Sequence, residues 1–146
     1  MEYSEPTLAI DRKRYRAGVV EMVVDFAPTH FVTFAFNNEV SADEAEADFT
    51  KFKQWLCRAI SGKRGRDGAR LPHIGIIEHE TSNLHVHAVF RVSKRWRKRF
   101  ERHAPRLWNK LRQAGSLDIQ SAYDVENLAD YITKELRPHK SHRLLV

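Results

Sequence analysis

Residues 72–92, PHIGIIEHETSNLHVHAVFRV, contain two stretches rich in β-branched and aromatic residues, separated by Thr81, Ser82 and Asn83. Strand formers flanking so short a polar connection predict an antiparallel hairpin, because parallel strands need a long crossover. Upstream, HFVTFAF (30–36) reads as another strand. It is followed by SADEAEADFTKFKQWLCRAI, where Ala45, Phe49, Phe52, Leu56 and Ile60 recur at helical spacing. A helix over 42–60 is predicted, with Ser41 as N-cap and acidic residues in its first turns. Downstream of the hairpin, Trp96, Phe100, Leu107 and Leu111 mark one face of a second helix, which Pro105 could kink or split. SLDIQSAY alternates as a short strand, and DVENLADYITKEL reads as a final helix capped by Asp124.

The order β, α, β, β, α, β, α contains the split β-α-β motif. It predicts an α+β fold, a ferredoxin-like or RRM-like antiparallel sheet with helices against one face. Residues 1–29 stay open, since GVVEMVVDF (18–26) suits either an edge strand or a helix, and 137–146 read as a C-terminal tail. A chain of 146 residues fits one domain, 1–146, and no internal repeat divides it.

The net charge of +6 points to polyanion partners. The excess gathers in GKRGRDGAR (62–70) and SKRWRKRFERHAPR (93–106), while NNEVSADEAEAD (37–48) is acidic. Lys63, Arg64, Arg66 and Arg70 in the first segment, and Arg95, Arg97, Lys98, Arg99 and Arg102 in the second, are candidate phosphate contacts. A solvated helix face is the ordinary alternative for any one of them. The single cysteine, Cys57, excludes an intramolecular disulfide and a cysteine-built zinc site. There is no Walker-type loop, no secretory signal and no apolar run of the roughly 20 residues that span a bilayer. The expectation is a soluble cytoplasmic protein, nuclear if it comes from a eukaryotic virus, with no membrane partner and no nucleotide cofactor.

Within the hairpin, His85 and His87 are two apart and share a strand face. Val86 and Val89 are assigned to the opposite, apolar side. Two imidazoles converging on one strand can serve a divalent metal, and a third ligand should come from the facing strand. Glu78 and Glu80 are candidates; Glu78 is preferred because it lies within the strand rather than at the turn. His79 has the wrong parity. A mixed set of this kind suits manganese, cobalt or zinc better than magnesium, which cellular abundance can still make the working ion. Two solvated histidines on an exposed face are the plainer alternative. On the final helix, Tyr131 and Lys134 are three apart and share a face. A phenol, with its pKa near 10, needs a nearby cation or metal to act as a nucleophile; packing alone is again the plainer role.

Taken in order, FVTFAF, EHETSNLHVHAVF and YITK resemble the three motifs of the HUH endonucleases. They look most like the one-tyrosine class of rolling-circle replication initiators, the Rep branch. The resemblance spans about residues 30–137. It implies a metal held by Glu78, His85 and His87 (manganese or magnesium), Tyr131 as nucleophile and Lys134 as accessory lysine. It also implies site-specific nicking and joining of single-stranded DNA through a 5′-phosphotyrosine. The substrate would be single-stranded DNA or an origin hairpin. The family's usual helicase is not in this sequence, which implies either an isolated nuclease domain or a host helicase as partner. Tyr123 falls outside the motif.

A single-strand transposase or a relaxase would share this chemistry, but the order of the histidines and tyrosine, and the lysine partner, favour Rep. A non-catalytic module binding single-stranded nucleic acid is the alternative from another class. It would use sheet aromatics such as Phe34, Phe36 and Phe90.

Overall fold

The computed structural model describes residues 5–62, 71–80, 82–134, 136 and 143–146, with side chains from residue 11 onward. The elements are α1 (Glu5–Phe26), β1 (His30–Ala35), α2 (Ala42–Ser61), β2 (His73–Glu78), β3 (His85–Phe90), α3 (Arg97–Leu111), β4 (Ser116–Ser121), α4 (Val125–Ile132) and β5 (Leu144–Leu145). The five strands form one sheet in the order β4-β1-β3-β2-β5, with every neighbouring pair antiparallel. This is the α+β, ferredoxin-like arrangement expected, in which β3 inserts between the two strands that a helical crossover joins.

The two faces of the sheet are covered differently. On the first, β1, β2 and β3 direct Val32, Phe34, Phe36, Ile77, Val86, Ala88 and Phe90 against α2 and α3. Helix α2 contributes Ala45, Phe49, Phe52, Leu56 and Ile60, all buried, and Ser41 Oγ accepts from the Glu44 backbone N–H at 3.1 Å as its cap. Phe34 sits at the centre, with the rings of Phe49, Phe52 and Trp108 edge-on at 5.0–5.4 Å. Burying one such ring contributes roughly 1.5–3 kcal/mol. Pro105 does not split α3, which runs unbroken after a short 3-10 turn at Lys94–Trp96. Gly115 opens β4 because a Cβ there would lie 2.8 Å from the Ala35 carbonyl oxygen.

The second face corrects two expectations. It is covered as well: Val19 and Val23 of α1 and Ala129 and Ile132 of α4 pack on Phe31, Ile74, Ile76 and Val89. GVVEMVVDF is therefore helical, the last part of α1, and helices lie on both sides of the sheet. Val89 lies on this face too, sharing the parity of His85 and His87 rather than opposing them. The tail ends in β5, which pairs with β2.

Candidate metal centre

Register builds the centre. Ile76, His87 and Thr33 are cross-strand neighbours on β2, β3 and β1, and the next row on that face is Glu78, His85 and Ala35. The row of Ile74, Val89 and Phe31 is apolar, so the second face turns from apolar core to polar cluster along the strands. The hairpin connection is longer than the trio Thr81, Ser82 and Asn83, since β2 ends at Glu78 and β3 starts at His85. His79 and Asn83 both have positive φ, at 53° and 52°, and the Ser82 N–H donates to the His79 carbonyl at 3.1 Å.

Glu78, His85 and His87 each bring one donor atom into a single cluster. Glu78 Oε2 lies 3.0 Å from His85 Nε2 and 2.9 Å from His87 Nε2, and the two Nε2 atoms are 3.1 Å apart. Glu78 is 1% exposed and His87 4%. A carboxylate this deep needs positive partners. Burial by itself pushes the Glu78 carboxyl up, but hydrogen bonds with His85 and His87, and then the charges of His87 and Lys134, outweigh it. The result is a pKa of about 2, against an ordinary 4.5.

The donor set fits a cation. His85 Nδ1 lies 3.2 Å from the Asn83 carbonyl oxygen, which can only accept, so an Nδ1–H bonded there leaves Nε2 as the ring atom for a cation. His85 Nε2 and Glu78 Oε2, 3.0 Å apart, can share a proton or both bind one metal ion. Glu78 Oε1 is buried with no hydrogen-bond partner among the described residues, leaving a second oxygen for the same ion. Ligands about 2.1 Å from a common ion stand about 3.0 Å apart at octahedral angles and about 3.4 Å apart at tetrahedral ones. The three separations of 2.9–3.1 Å suit one face of an octahedron. A buried Glu-His-His group able to hold a metal ion is therefore present.

Two supporting residues were not singled out from the sequence. Thr33 Oγ1 lies 3.1 Å from His87 Nδ1, and Phe31 lies against the His87 ring at 5.4 Å. Orienting the far nitrogen of a ligating histidine is a common device in metal sites. Thr33 was visible as one hydroxyl in the apolar strand FVTFAF, but only the β1–β3 register brings it to His87.

Tyr131 of α4 is 50% exposed, and its ring centroid is 5.7 Å from that of His87. Helix α4 ends at Ile132, so Lys134 lies just beyond it, with Nζ 4.3 Å from the centre of the Tyr131 ring. Asp124 does not cap α4 through a backbone amide. It adopts a left-handed conformation, and its carboxylate accepts from Asn127 Nδ2 at 2.6 Å. Glu80 is drawn away to Arg143, which donates to it at 3.0 Å.

Arg95, Arg97, Lys98, Arg99 and Arg102 are exposed on α3 and the turn before it, across the sheet from the centre. Arg97 and Arg99 also donate to the Val92 and Ile60 carbonyls at 3.1 and 2.8 Å. Lys63, Arg64, Arg66 and Arg70 lie outside the described residues. A third basic run, DRKRYR (11–16), lies on α1, which packs beside α4. From it, Arg16 donates to Asp130 Oδ1 at 2.8 Å, next to Tyr131. Among the described residues, no helix is long and apolar enough to cross a membrane.

No family model matches the chain, and no curated protein matches it. Among solved structures it is similar to the hypothetical protein ORF119 from Sulfolobus islandicus rod-shaped virus 1. The two are 22% identical, with 81% of this chain and 90% of that one covered, at a TM-score of 0.48.

Proposed function

We propose that this protein is a metal-dependent endonuclease and strand transferase that nicks and rejoins single-stranded DNA through Tyr131, initiating rolling-circle replication of a plasmid or virus. The supporting observation is an exposed tyrosine whose ring lies 5.7 Å from that of a buried histidine in a Glu-His-His cluster. That pairing agrees with the likeness of FVTFAF, HVH and YITK to the HUH replication initiators.

In this reading Glu78, His85 and His87 hold manganese or magnesium, which supplies Lewis acidity to a non-bridging phosphate oxygen. Thr33 and the Asn83 carbonyl keep the two imidazoles turned inwards. Tyr131 Oη attacks phosphorus, forming the phosphotyrosine bond and breaking the P–O3′ bond. The phenolic proton passes to solvent through the exposed side of the ring, and the departing O3′ takes up a proton to become a free hydroxyl. Lys134, against the ring, offsets negative charge on the phenolate and the phosphate. Because the new diester keeps the energy of the old one, a later 3′-hydroxyl can attack it and restore the strand without ATP. The α3 cations, across the sheet, suit the flanks of the DNA rather than the scissile phosphate. A host helicase would supply unwinding.

The reading as a non-catalytic module loses support, because Phe34, Phe36 and Phe90 are fully buried and offer no face to a base. A transposase or a relaxase would use the same chemistry, and the order of the motifs is what favours an initiator. The test is labelled single-stranded origin DNA with Mn²⁺, followed by denaturing electrophoresis. The wild-type protein should form a denaturant-stable adduct, and Tyr131→Phe and the His85→Ala/His87→Ala double variant should not. An adduct on Tyr131→Phe, or full cleavage by the double variant in chelator, would overturn the assignment.

A further inference from the structure

Tyr123 has no part in this chemistry, yet it is 79% exposed, and the other exposed aromatic among the described residues is Tyr131. Both line one cavity of about 390 Å³ between the end of β4 and α4. Asp124, Asn127, Leu128 and Tyr131 follow one another at helical spacing, so a single face of α4 forms one wall. Phe31 and Gln120, paired across β1 and β4, form the floor.

The chemistry of the lining selects the occupant. Among the described residues none that lines it is a lysine or an arginine, and Asp124 brings a carboxylate, so a phosphate is not what the cavity suits. Two exposed rings beside amide and carboxylate groups instead suit a flat heterocycle with polar edges. The Asp124 carboxylate already accepts one Asn127 Nδ2–H, which leaves Asp124 Oδ1 and Asn127 Oδ1 as acceptors beside the one remaining Asn127 N–H. Such an edge favours a base with an exocyclic amino group, namely adenine, cytosine or guanine. Thymine, with two carbonyls flanking one N–H, offers this acceptor-rich edge fewer donors.

We infer that this cavity is a nucleobase subsite next to the scissile phosphate, with Tyr123 as its stacking plate and the Asp124–Asn127 pair reading the amino group of the base. The inference rests on the nicking reading and deepens it: the cavity ends at Tyr131, so a base held there sets which phosphate reaches the nucleophile. Tyr123 is a specificity-determining residue, acting on binding and not on the bond being broken.

The experiment uses the full chain carrying Tyr131→Phe, which keeps the ring and prevents covalent capture. Fluorescein-labelled 12-mers of dA, dC and dT are titrated by anisotropy in Mn²⁺ at low salt. Since Tyr123 is mostly exposed, Tyr123→Ala should fold as the parent does. A base–aromatic stack predicts that it weakens dA and dC binding about tenfold or more, and that Tyr123→Trp retains it. Asp124→Asn should erase the preference for dA and dC over dT. If the parent binds and Tyr123→Ala binds all three oligonucleotides equally well, the subsite is overturned while the nicking reading stands. If the parent binds none of them, both fall together.

Discussion

Replacing Thr33 by valine tests whether the metal centre is built as described, because the side chain keeps its shape and loses only the hydroxyl. Thr33 Oγ1 lies 3.1 Å from His87 Nδ1, and His87 is 4% exposed, so the variant leaves a buried ring nitrogen without its partner. An unsatisfied buried polar group costs roughly 1–3 kcal/mol. Valine's better strand propensity returns a few tenths at most. A net loss of about 2 kcal/mol lowers the unfolding midpoint by about 4–8 °C in a chain of this size. The larger effect should fall on the metal. Loss of a group that orients a ligating histidine weakens binding about 10–100-fold. Thermal unfolding in chelator measures the first quantity, and the Mn²⁺ concentration needed to raise the midpoint measures the second. Thr33→Ser should restore both. If Thr33→Val responds to Mn²⁺ at the same concentrations as wild type, the hydroxyl does not orient His87 and the inward-turned geometry is wrong.

Two further outcomes can be checked without the natural substrate or at any single-stranded site. Burial, and then the Lys53 ammonium 2.8 Å away, hold His73 at about 4, below its ordinary 6.5. The unfolded chain therefore takes up a proton at this position before the folded one does. Stability should fall as pH drops from about 6.5 through about 4, by roughly 1–2 kcal/mol after solvent screening. Denaturant midpoints should show this, and His73→Gln should flatten that part of the profile; an unchanged slope in the variant would reject His73 as the source. On α3 and the turn before it, Arg95, Lys98 and Arg102 are exposed. Each one that touches a phosphate should, when changed to glutamine, reduce the salt slope of single-strand binding by about 0.7. Unchanged slopes for all three would remove α3 from the DNA path.

Much of the fold was legible because local patterns agreed with one another. The apolar spacing of Ala45, Phe49, Phe52, Leu56 and Ile60 could be satisfied only by a helix, and Ser41 marked its start. Period-two alternation gave the hairpin and the shared face of His85 and His87, with Glu78 opposite His85. The N-terminal segment was ambiguous for a physical reason. GVVEMVVDF has enough β-branched residues for a strand, and only contact of Val19 and Val23 with the sheet, beside α4, makes the helix worthwhile. Asp124 looked like a cap, but its carboxylate went to Asn127.

The sequence by itself determined which residue types carry the chemistry and which of them share a strand or a helix. That information is local, written in periods of two and 3.6 residues. Tertiary structure decided the rest. The register of three strands brought Thr33 and Glu78 to the histidines, and packing of α4 on the second face brought Tyr131 beside His87 and left Tyr123 exposed at the cavity next to it. It also carried the α3 arginines to the face of the sheet opposite the Glu-His-His cluster. Distances between elements depend on which face each helix covers. That choice is made by burial of the whole apolar surface, and no short stretch of sequence encodes it.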